Sequence, residues 1–210
     1  MISVKKLASF TILLVVFTLT ASYLIFSWQF TLIMTLFFII GGVFYNIPPI
    51  RTKDVVVIDI LGESVNNPLR LLLGWLIVVN SFDVPFIAIL GYWSFGATLV
   101  TAKRVAEFRH FGPELTMYRP TFKHYSSSLL ISLYALFNTL TLVSLIALSI
   151  TFNGRLFFMI PPTIVLLAWL AFLTFEKNSI VQEPERIIEK KAFFIYCLLF
   201  LIAFAVLMLL

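Results

Sequence analysis

Cysteine, histidine and charge are all scarce in this chain, and each shortage removes a class of function. Cys197 is the only cysteine, so no intrachain disulfide forms, and its apolar neighbours suit a small buried hydrophobe. His110 and His124 stand too far apart to read as a ligand pair, and no Cys/His cluster marks a zinc site. There is no glycine-rich phosphate loop, no internal repeat and no low-complexity tract. Charged residues fill 12% of the 210 positions, against ~25% in a soluble domain, and 61% are hydrophobic. That balance excludes a water-soluble globule and describes an integral membrane protein in contact with a lipid bilayer, with no nucleic-acid partner.

Long apolar runs are what the chain has in quantity, and its 23 phenylalanines read as lipid-facing bulk. Leu7 to Ser27 carries no charge. As a helix it rises about 31 Å, which matches a bilayer core. A cleaved signal peptide would have an apolar region of only ~7–15 residues, so a retained helix is expected. Trp28-Gln29 turns the chain, and Phe30 to Tyr45 returns as a shorter helix whose Gly41-Gly42 permits close helix contact. Pro48-Pro49 stops it. Further helices are expected from about Asn66–Pro68 to Asn80, Val84 to about Arg109, Tyr125 to about Phe152, Leu156 to Phe175, and Ala192 to Leu210. The pattern predicts an all-α polytopic transmembrane bundle of about seven spans in a single domain, 1–210.

The polar loops, about 46–66, 103–124 and 176–191, fall on one side of that bundle. Of the 15 Lys and Arg residues only Arg155 falls on the other. The bias predicts an inside N-terminus, an outside C-terminus and a cytoplasmic functional face.

One stretch between two apolar runs concentrates Arg51, Lys53, Asp54, Asp59, Glu63, Asn66, Asn67 and Arg70. Each Arg, Lys or Asp at mid-bilayer depth costs roughly 2.5–3.5 kcal/mol, so the segment lies in water or lines a cavity. A short interfacial helix over Val55–Leu61 would start Asp59 and Glu63 along one face. Lys103 and Glu107 share a face in the same way, with Arg104 beside them and Arg109 further along. Clustered Arg and Lys beside carboxylates suit a phosphorylated or diphosphorylated lipid, with leaving-group stabilisation that is electrostatic. The plainer account is that basic residues at helix ends are topology signals and contacts to anionic lipids. It suffices for Lys5, Lys6, Lys177, Lys190 and Lys191, and it leaves Arg119 and Lys123 open. Asp59, Glu63 and Glu107 would then be salt-bridge partners, Tyr45 an interfacial anchor, and Asn66-Asn67 a helix cap.

Tyr45-x-x-Pro48-Pro49-x-Arg51-x-Lys53 resembles a motif of the UbiA superfamily of intramembrane prenyltransferases. Glu63-Ser64, Asn66-Asn67-Pro68-Leu69-Arg70 and Leu73-Gly74-Trp75 resemble a bacterial branch that includes the decaprenyl-phosphate phosphoribosyltransferases. Ala102-Lys103-Arg104-x-Ala106-Glu107 and Ser179-x-Val181-Gln182-x-Pro184-Glu185 resemble later runs of that branch. The resemblance implies a transferase in a bacterial inner membrane that acts on a polyprenyl phosphate or diphosphate, with diphosphate leaving. In one version an acceptor traps an allylic cation; in the other a polyprenyl phosphate attacks phosphoribosyl diphosphate. Arg51, Lys53, Lys103 and Arg104 would hold phosphates, while Asn66, Asn67 and Arg70 hold the polar substrate. Tyr45, Glu63 and Arg109 would line the same site. Asp59 or Glu107 would orient the cations or act as a base.

Magnesium is the cofactor the resemblance implies, yet the first Asp-rich motif of the family is missing. The seven expected spans match the third through ninth of about nine family helices, and no metal ligand is assigned here. A split enzyme completed by a separate polypeptide, a non-catalytic lipid-binding or assembly subunit, and a small transporter are the alternatives. The transporter is weakened by the lack of charge inside the later helices.

Overall fold

The computed structural model describes residues 3–117, 119–177 and 179–209, and it is all-α among them. Serine and asparagine start several of its helices, because their side-chain oxygens accept from backbone N–H groups the helix itself leaves unpaired. Ser3 caps α1 (Val4–Ile25), Ser27 caps α2 (Trp28–Phe37) and Ser126 caps α6 (Ser127–Thr151). Asn153 accepts from Arg155 N–H and opens a short 3₁₀ turn, Gly154–Met159, that leads into α7 (Ile160–Phe175). Pro161 and Pro162 sit in the first turn of α7, where a missing N–H donor costs nothing.

Five helices are long and apolar enough to cross a membrane: α1, α5 (Phe86–Phe111), α6, α7 with its 3₁₀ entry, and α8 (Lys191–Leu209). The expected end of the last helix at Leu210 lies outside the described residues. Two of the seven expected spans fall short of that standard. α2 runs on into a π-helical stretch, Phe38–Phe44, and the pair forms only a shorter apolar helix. α4 (Asn66–Val78) has 13 residues and rises about 20 Å, less than a hydrocarbon core. These long apolar helices are consistent with an integral membrane protein.

α5 and α6 pack along each other at the centre, with α7 against α5 and α8 against α7. α2 lies on α4, joined by buried Phe30, Ile33, Leu69 and Leu76. The largest core, including Ile60, Val105, Phe122, Leu130 and Leu173, gathers where the polar loops meet the α5–α6–α7 centre. Small residues bring the elements close. A Cβ on Gly96 of α5 would run into the Asn67 side chain, and one on Gly41 of the π stretch would run into Asn66. Both asparagines are therefore clamped against glycine at the start of α4.

Candidate functional site

The loop after the π stretch makes two uncommon backbone turns before it becomes helical. Arg51 has φ 28°, and Val57 has φ 67° with ψ −43°. Positive φ is strained for a β-branched residue. The turn at Val57 starts α3 at Ile58 and runs it to Ser64, a few residues later than the expected Val55–Leu61. Asp59 and Glu63 still share the face that meets α5.

On that face Arg104 is the hub. Its Nε donates to Asp59 Oδ2 at 3.1 Å, its Nη2 to Glu63 Oε2 at 2.6 Å and its Nη1 to Glu107 Oε2 at 3.1 Å. The Arg104 side chain is 1% exposed, Asp59 0%, Glu107 17% and Glu63 36%. A guanidinium so deeply buried is stable only when its donors are filled, and here all its nitrogens are engaged.

Two phenols extend the network. Tyr125 donates to Asp59 Oδ1 and accepts from the N–H of strained Val57 at 2.9 Å. Tyr45 donates to Glu63 Oε2 at 2.9 Å. Burial, reinforced by the Glu63 carboxylate, pushes the Tyr45 phenol up to about 12. Burial and then the bond to Asp59 raise the Tyr125 phenol as well. Arg119 approaches from the next loop, with Nη1 at 3.9 Å from Asp59 Oδ2. That nitrogen is buried yet has no hydrogen-bond partner among the described residues.

The sequence-derived candidates divide into two groups. Tyr45, Asp59, Glu63, Arg104 and Glu107 come together in this network. Arg104, expected to hold phosphate, is turned wholly to carboxylates. Glu107, expected beside Lys103, goes to Arg104 instead, and Lys103 makes no ion pair among the described residues. The remaining candidates bond elsewhere. Arg51 pairs with Asp54 at 2.8 Å and Lys53 with Asn46 Oδ1 at 3.1 Å, both near the surface. Asn66 donates to the Glu63 carbonyl at 3.2 Å, while its Oδ1 is buried without a hydrogen-bond partner among the described residues. Arg70 lies 5.7 Å from the centre of the Phe37 ring, and Arg109 lies 5.1 Å from that of Phe175.

Arg119 and Tyr125 are the members that sequence reasoning did not assign. The loop carrying Arg119 gave only a basic signal, and Tyr125 read as the first residue of a helix.

No three His, Cys, Asp or Glu residues among those described are arranged to hold a metal. Asp59, Glu63 and Glu107 converge on Arg104 rather than on a shared point, so this donor set does not fit a resident magnesium ion.

Comparison with protein-family models, with curated proteins and with solved structures gave no match.

Proposed function

We propose that this chain is a membrane-embedded transferase of the UbiA type. It acts on a polyprenyl phosphate or diphosphate at the cytoplasmic face of a bacterial inner membrane, with diphosphate as the leaving group. The phosphoribosyl version fits its motifs best, with a polyprenyl phosphate attacking phosphoribosyl diphosphate.

One observation carries the reading. The motif residues from the first polar loop and from α5 interlock at Arg104, and an unsatisfied guanidinium nitrogen of Arg119 faces the same carboxylates. Arg104 then serves as the fixed post that orients Asp59, Glu63 and Glu107. Outside that post, Arg119 has a 3.9 Å ion pair with Asp59, Lys53 a single hydrogen bond to Asn46 and Lys103 no ion pair among the described residues, so these are the cations that can turn to phosphate oxygens. Their charge develops no new bond; it stabilises the departing diphosphate as negative charge accumulates on it. Asp59 and Tyr125 hold Arg119 and the Val57 turn in register for that work. The span order, α1 outward and α8 outward again, follows from the side on which the basic residues lie.

The test is transfer by purified protein in lipid nanodiscs, supplied with polyprenyl phosphate and phosphoribosyl diphosphate with magnesium as the donor's counter-ion. A phosphoribosylated lipid is expected, and Arg119→Gln should lower its rate by about 100-fold or more. Absence of any transfer product, from this donor or from a prenyl diphosphate with an acceptor, overturns the reading. So does full activity in a chain stripped of charge at Arg119, Lys53 and Lys103.

A further inference from the structure

A second cationic site lies on the side of α5 turned away from Arg104. At 3.6 residues per turn, Ala106, Arg109 and His110 lie roughly 140–240° around the helix from Arg104. They face the end of α7 and the loop behind it. Between these elements is a concave pocket of about 210 Å³, lined among others by Arg109, His110, Glu176, Lys177 and Gln182. At ~30 Å³ per water this holds about seven waters, room for a phosphate group and part of its ester.

The charge inside this pocket is one-sided. Its only carboxylate among the described residues, Glu176, is taken by Lys190, which reaches both oxygens at 3.0 Å. Arg109 makes no ion pair among the described residues, and its guanidinium carbon lies over the Phe175 ring at 5.1 Å from its centre. A guanidinium held over a ring face in this way keeps its N–H donors available to oxygen anions. Lys177 likewise has no carboxylate partner among the described residues, and His110 completes the rim. Phe175 lends the lining an apolar face, and it is the last residue of the apolar stretch Gly154–Phe175 that is long enough to cross a membrane.

We propose that this pocket binds a phosphate-bearing anion, separately from the Arg104 network. Arg109 and Lys177 supply the charge and His110 an added donor. The shared chemistry is a phosphate mono- or diester, whether on a lipid headgroup or free in water.

Native mass spectrometry of the purified full chain, offered phosphatidylglycerol, phosphatidylcholine or inorganic phosphate, tests this. Wild-type protein should retain phosphatidylglycerol over phosphatidylcholine, and the double variant Arg109→Gln/Lys177→Gln should lose about tenfold or more of that preference. Retention of inorganic phosphate alone, lost in the same variant, assigns the pocket to a soluble anion and also supports the proposal. The control is Lys5→Gln/Lys6→Gln, which removes equal charge at another basic helix end. Equal loss in the control, or equal uptake by wild type and the Arg109/Lys177 variant, overturns the proposal. Neither outcome depends on transfer activity, so the two functional readings fail independently.

Discussion

The two faces of the last turns of α5 use arginine in opposite ways. On one, Arg104 is buried and every guanidinium nitrogen is met by a carboxylate. On the other, Arg109 is exposed, set over a ring and without an acidic partner among the described residues. Five residues of sequence separate a cation that organises the protein from one that is available to something else. Burial with partners, rather than residue type, marks the difference.

The largest effect should come from breaking the first face. Arg104→Leu leaves Asp59 buried beside two more carboxylates and should cost about 3–5 kcal/mol. Arg109→Gln removes an exposed group and should stay within about 0.5 kcal/mol. Thermal unfolding in detergent reads both, and equal losses would abolish the contrast.

Next in size is packing on the flank of the same helix. Gly96→Ala should cost about 1–3 kcal/mol, because its new methyl meets Asn67. Gly74→Ala in α4 meets nothing within 4 Å and should instead gain up to about 1 kcal/mol from helix propensity. Parity between these two would show that Asn67 moves aside freely.

Tyr125→Phe strips partners from both Asp59 and the Val57 N–H and should cost about 1–3 kcal/mol. Tyr45→Phe removes one bond to a half-exposed carboxylate and should cost less.

The smallest effect is read by alkaline titration. Tyr45 is raised from 10.0 to about 12 on folding. Its contribution to stability is therefore complete below pH 10 and is lost as pH climbs through about 12. Tyrosinate absorbance should show a late rise, shared with Tyr125, that Tyr45→Phe makes smaller. If the rise keeps its full size in that variant, Tyr45 is not raised by its surroundings.

Much of the architecture could be read from residue order. The uncharged runs announced the long helices, and the gathering of basic residues singled out the loops that approach one another. Depth could not be read the same way: the run from Phe30 to Tyr45 is apolar throughout, yet its second half coils as a π-helix ending at Phe44. Within the site, Asp59, Glu63 and Glu107 stood out as carboxylates near cations. Their convergence on Arg104, itself expected to hold phosphate, did not, because Arg104 lies 45 positions from Asp59 and 41 from Glu63. Tyr125 was harder still, since a phenol at a helix entrance looks like any interfacial aromatic. Only the positive φ at Val57, invisible in sequence, gives its oxygen a second task.

That oxygen has a mechanical consequence. One phenol ties a bent main chain in the first polar loop to the entrance of α6, through two bonds at a single atom. The carboxylate helix and the entrance of α6 are thereby coupled like two arms on a common pin. A ligand that shifts Asp59 must carry the entrance of α6 along or break the pin, so a change at the carboxylates would be felt at α6 without any large movement of the helices.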